Sequence, residues 1–201
     1  AGPPFNALLA IDSNGEIISS YDKSHLVPFG EFLPFSPFFA SLGIKQFVPG
    51  AEGWSHGDAR RRLMSLPDMP ALLALICYEI LFSGDLGDTA GAQFLFNITN
   101  DAWFDNSIGP AQHAHHARLR AVEEGMSLIR AANSGLTFAT DPLGRITAQL
   151  PALQMDALDV TPDERLASTP FSQVRYWPLL MALLLGLALS VLAHRRRISP
   201  L

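Results

Sequence analysis

One residue in this 201-residue chain can act as a strong nucleophile, and that is Cys77, its single cysteine. It closes the apolar run ALLALICYEILF (residues 71–82), with Tyr78 and Glu79 directly after it. A thiol attacks as the thiolate, and a nearby ammonium favours that charged form. Lys23, in YDKSHLVPFGE, is of the type to supply one. The same ammonium, with the backbone N–H of Tyr78, could hold the oxyanion formed during acyl transfer. Glu31 and Glu79 could orient the lysine or exchange protons with it. Each residue also has a plainer reading. A lone cysteine packs as a small hydrophobe, and a strand-end lysine or a turn carboxylate is ordinarily a solvated charge.

Competing chemistries are weaker. His113, His115 and His116 look like a metal cluster, but in a helix only His113 and His116 share a face, and no partner follows at ligand spacing. There is neither a Gly-rich phosphate loop with its lysine nor a Gly-x-Ser-x-Gly elbow. Thiol-based acyl transfer needs no cofactor, and none is expected.

The elements that must position these groups can be read in order. Residues 6–23 predict a β-hairpin around Asn14-Gly15. Residues 25–50 hold six phenylalanines (Phe29, Phe32, Phe35, Phe38, Phe39, Phe47) among prolines and glycines, and predict a long loop with one short helix. Such a loop either folds back on the core or presents an apolar patch. Residues 70–82 and 92–101 are too apolar for half-buried strands and predict interior ones, the first ending near Cys77 and the second near NITNDAWF (residues 97–104). Residues 109–125 predict a helix, with Pro110 inside its start, Gly125 at its stop, and alanines 111, 114, 117 and 121 as a close-packing face. Another strand and a hairpin should follow to residue 147, then a last strand at residues 155–160. Lys23, Cys77 and residues 97–104 all lie near predicted strand ends, and neighbouring strand ends converge. The pattern is α/β with layered sheets.

Hydropathy and charge are unevenly spread. The chain is 48% hydrophobic and 16% charged. Residues 176–194 carry no Lys, Arg, Asp or Glu, and as a helix would span about 28 Å, near the hydrocarbon thickness of a bilayer. Tyr176 and Trp177 stand at one end and Arg195, Arg196 and Arg197 at the other, which predicts a transmembrane helix with a cytoplasmic C-terminus. The rest is acidic, arguing against a nucleic-acid partner. A body on the far side of the membrane, with no export signal of its own, suggests that an N-terminal part is missing. There, an unpaired cysteine is a liability unless it is used.

YDKSHLVPFGEFLPF, ICYEILF, NITNDAWFDNSIGPAQHAHHARLRAVEEG and RAANSGLTFATDPLGRI together resemble the nitrilase, or carbon–nitrogen hydrolase, superfamily. The Phe-rich segment and the C-terminal apolar helix resemble, more narrowly, its apolipoprotein N-acyltransferase branch. The resemblance implies a nitrilase-like α-β-β-α sandwich, here partial, over residues 1–170, with a transmembrane helix and basic tail over residues 171–201. It implies a bacterial inner-membrane enzyme with its catalytic domain facing the periplasm. Its cysteine takes an acyl chain from a phosphatidylethanolamine-like phospholipid as a thioester and passes it to the N-terminal diacylglyceryl-cysteine of an apolipoprotein. By residue, it implies Cys77 as nucleophile and Lys23 as its catalytic partner. Glu31, Glu79 and Tyr78 are supporting or oxyanion groups, and Trp103 and Phe104 line the substrate. The catalytic glutamate of such enzymes belongs to a segment upstream of the first hairpin, so neither Glu31 nor Glu79 is expected to be the base. The isolated chain is expected to be inactive and to expose a sheet edge. A membrane-tethered amidase and a non-catalytic interaction module are the alternatives.

Overall fold

The computed structural model describes residue 2 and residues 4–43, 53–104, 107–151 and 154–198. Strands β1 (Ala7–Ile11) and β2 (Ile17–Asp22) form the expected antiparallel hairpin. Its turn has Gly15 at φ 85°, a region open to glycine, and the Asp12 carboxylate accepts the Asn14 and Glu16 N–H groups. A short helix, α1 (Ser36–Ser41), interrupts the Phe-rich loop. Phe29, Phe32 and Phe39 are partly buried, whereas Phe35 and Phe38 are exposed, so the loop both folds back and presents apolar surface. Phe47 lies outside the described residues.

Six further strands make one sheet in sequential order: β3 (Leu63–Met64), β4 (Leu72–Ile76), β5 (Phe94–Asn100), β6 (Ser127–Asn133), β7 (Phe138–Thr140) and β8 (Ile146–Gln149). The central pairs β4–β5 and β5–β6 are parallel and the outer pairs antiparallel. Every residue of β4 is buried, because both sheet faces are covered. Leu73 and Leu75 face helix α2 (Gly109–Glu124) with Leu95 and Leu128. Leu72, Ala74 and Ile76 face the other way, onto Leu8 and Tyr21 of the hairpin. Three layers result: helix, sheet, hairpin.

Helix α2 crosses from β5 to β6. Pro110 sits in its first turn, and Gly125 ends it at φ 63°. Ala114, Ala117 and Ala121 are buried against the sheet, but Ala111, in the first turn, is exposed. The strand expected at residues 155–160 does not form. That segment is without ladder bonds and mostly exposed, and β7 already pairs with β8 beyond β6. It leads instead into a strap: Ser127 exchanges hydrogen bonds with the Asp163 backbone, and the Leu166 N–H donates to the Gly125 carbonyl. Helix α3 (Pro170–Val174), capped by Thr169, leads to α4 (Trp177–Ile198). Residues Trp177–His194 have a mean hydropathy of 1.9, and none of that span is buried. Among the described residues, α4 is the one helix long and apolar enough to cross a membrane. A core helix of the same composition would be covered.

Candidate active site

The C-terminal ends of parallel strands are where an α/β sheet presents its chemistry. Cys77 leaves the end of β4 into a 3₁₀ turn, Cys77–Leu81, at φ 51°. A positive φ is uncommon outside glycine and is held only where surroundings over-determine it. Glu79 provides part of that hold. Its Oε2 accepts the Ile76 N–H (2.8 Å), and its Oε1 accepts from Tyr21 Oη (2.6 Å), Ser24 N (3.0 Å), Ser24 Oγ (2.9 Å), His25 N (3.1 Å) and Arg62 Nη2 (3.2 Å). Burial works to raise the Glu79 pKa. The Arg62 charge and the hydrogen bonds from Tyr21, Ile76 and His25 outweigh it and hold the carboxyl below its ordinary value. Burial beside this carboxylate pushes the Tyr21 hydroxyl up to about 12. Glu79 therefore fastens the hairpin to the turn carrying Cys77. It is neither an exposed turn carboxylate nor a partner of Lys23.

Lys23 follows β2 and is buried, at 1% exposure. Its Nζ donates to Glu31 Oε2 at 2.7 Å. The same oxygen accepts the Val27 N–H (2.8 Å), and Glu31 Oε1 accepts Asn6 Nδ2 (2.9 Å). An ammonium held this way is compensated and aimed without bulk water.

Lys23, Glu31, Cys77, Tyr78, Trp103 and Phe104 line one cavity of about 960 Å³. Trp103 and Phe104 stand on a 3₁₀ turn, Asp101–Phe104, just after β5, and Trp103 is 62% exposed. Tyr78 packs its ring edge-on against Phe82. The sequence-derived residues thus converge, except Glu79, which lies behind the turn. A site of this size, with more apolar than polar surface facing it, suits a ligand with a long apolar part.

A second set of residues, two of them within residues 97–104, was not foreseen as a group. Asn97 (β5), Asp101, His113 (α2) and Arg130 (β6) are buried together, and His113 also lines the cavity. Burial raises the Asp101 carboxyl, but hydrogen bonds and charge from His113 and Arg130 bring it below its usual value. Burial also lowers the Arg130 guanidinium, against the opposing charge of Asp101. The signal was present: Asn97 and Arg130 are polar residues in otherwise apolar runs, and they are register partners in the β5–β6 ladder. His113, in the suspected metal cluster, is buried here, whereas His115 and His116 are exposed.

Comparison with known proteins places the chain in a family. The family model described as carbon-nitrogen hydrolase matches residues 1–171. An apolipoprotein N-acyltransferase of Rhodopseudomonas palustris is 41% identical over 96% of this chain and 36% of its own length. That of Brucella melitensis is 46% identical over 78% of this chain and 29% of its own. The chain thus spans about a third of the length of the curated relatives it matches. Among solved structures, a double mutant of the amidase from Nesterenkonia sp. AN1 in complex with acrylamide superposes with a TM-score of 0.53 at 19% identity, over 88% of this chain and 60% of that one. That likeness shows a shared fold.

Proposed function

The chain belongs to the carbon-nitrogen hydrolase family, and from that premise we propose that it carries the acyl-transfer centre of an apolipoprotein N-acyltransferase. The observation that carries the reading is the meeting of Lys23, Glu31 and Cys77 in one large cavity, with the thiol-bearing residue on a positive-φ turn. The relatives' names support the same activity.

In this reading the Cys77 thiolate attacks the ester carbonyl of a phosphatidylethanolamine-like phospholipid. The Lys23 ammonium and the Tyr78 N–H hold the oxyanion. The C–O bond breaks, the lysophospholipid alkoxide takes up a proton, and a thioester remains on Cys77. The α-amino group of an apolipoprotein's diacylglyceryl-cysteine then attacks the thioester. The C–S bond breaks, an amide forms, the amine loses its proton and the thiolate returns. Glu31 keeps Lys23 aimed. Neither carboxylate is assigned as general base, because Glu31 is already ion-paired and Glu79 lies outside the cavity. Trp103 and Phe104 border the acyl chain. Residues 1–170 form the catalytic portion, and α4 anchors it with the cavity on the periplasmic side of the inner membrane and the arginine-rich end in the cytoplasm.

The test is mass spectrometry of the protein taken from its own membranes. A hydroxylamine-labile acyl chain is expected on the Cys77 peptide, and Cys77→Ala should stop N-acylation of lipoprotein. A Cys77 thiol that stays free while N-acylated lipoprotein accumulates would overturn the assignment. Release of free fatty acid in place of N-acylated lipoprotein would make the centre a hydrolase.

A further inference from the structure

The reaction above leaves the buried group next to Cys77 unused. His113 Nε2 lies 3.2 Å from the Cys77 carbonyl oxygen, and a carbonyl only accepts, so Nε2 is the donor. His113 Nδ1 lies 2.8 Å from Asp101 Oδ1. Asp101 Oδ2 accepts Arg130 Nη2 at 2.7 Å, and Arg130 Nη2 is also 3.3 Å from His113 Nδ1. Arg130 Nη1 donates to Asn97 Oδ1, and Asn97 Nδ2 donates to the Leu75 carbonyl at 3.1 Å. Both ends of this chain of contacts reach the end of β4, at Leu75 and at Cys77. Between them it crosses β5, β6 and α2.

We propose that His113 is a positioning residue for the acyl-transfer centre: by holding the Cys77 carbonyl to the Asp101–Arg130–Asn97 group, it sets the turn from which the thiol reaches the cavity. The inference rests on the reading of Cys77 as nucleophile. Without this hydrogen bond the Cys77 end of the turn, at φ 51°, loses its side-chain anchor from α2; Glu79 still holds it on the hairpin side, and Arg120 holds only the far end, donating to the Leu81 carbonyl. Phe104 packs edge-on against the His113 ring, which fixes the ring plane.

Two substitutions separate positioning from space filling. His113→Gln places an amide N–H near the Nε2 position and can still donate to Cys77. His113→Asn reaches only the Nδ1 position, keeping the Asp101 contact and losing Cys77. The readout is the rate of Cys77 alkylation by iodoacetamide in the detergent-solubilised protein, with melting temperatures alongside. His113→Asn is expected to slow alkylation about tenfold, the worth of one hydrogen bond to a strained turn. His113→Gln should stay within about threefold of the parent at a similar melting temperature. Equal rates for the two variants would overturn the positioning role and leave the acyl-transfer reading intact. A parent thiol no more reactive than in the urea-unfolded chain would overturn the acyl-transfer reading, and this inference with it.

Discussion

Glu79 offers the most quantitative test of how the hairpin is joined to the nucleophile turn. Its carboxylate is fully buried against Arg62, itself 1% exposed, and accepts from Tyr21, Ser24, His25 and Ile76. Glu79→Ala removes one member of a buried ion pair and strands the guanidinium, a change that costs roughly 3–5 kcal/mol. At about 2–4 °C per kcal/mol for a body of this size, the melting temperature should fall by roughly 6–20 °C. Glu79→Gln keeps the shape and loses the charge, so it should fall between the parent and Ala. The pH dependence has a definite sign. The folded carboxyl titrates below its ordinary value of 4.5, so its contribution is complete above about pH 4.5 and is lost as pH falls through the folded value. The parent should therefore lose stability in acid, and Glu79→Gln should show a shallower acid limb. Scanning calorimetry in detergent from pH 3 to pH 7 reads both effects. A Glu79→Ala midpoint within about 2 °C of the parent would refute the anchoring argument, since no buried pair of this kind breaks at so little cost.

Two further outcomes follow from neighbouring contacts. Tyr21→Phe removes the hydroxyl shared by Glu79, Ser24 and Arg62 and should cost about 1–3 kcal/mol near neutrality. With the folded hydroxyl at about 12 against an ordinary 10.0, its contribution is complete below about pH 10 and is lost as pH rises toward 12. Denaturant melts between pH 8 and pH 11 should accordingly decline for the parent and stay flatter for Tyr21→Phe, and parallel curves would contradict the assignment. Gly135→Ala would drive a methyl group into the Asp101 carboxylate that His113 and Arg130 hold. It should destabilise by about 1–3 kcal/mol and slow Cys77 alkylation as well, whereas unchanged values would mean the β6–β7 connection absorbs the methyl unaided.

What could be read from the sequence divides by the range of the physics involved. The hairpin rests on Asn14-Gly15, α2 on Pro110 and Gly125, and β4 on an unbroken apolar run, all of them local signals. Cys77 could be placed at a strand end for the same reason, and Lys23 likewise. Glu79 could not, because its partners Tyr21 and Arg62 stand 58 and 17 residues away and are brought to it only when the hairpin lies over the sheet. The segment at residues 155–160 misled for the converse reason. Its short alternation is a strand pattern, but a strand needs a neighbour, and no ladder takes it in. Asn97 and Arg130 were visible as polar residues in apolar strands, yet each alone is only an anomaly. Once the β5–β6 register sets them side by side, Arg130 donates to Asn97, and Asp101 and His113 join the group. A buried polar residue must have a partner somewhere. Two such residues in consecutive interior strands are therefore evidence for each other, and here the group they begin ends on the carbonyl of the residue assigned the chemistry.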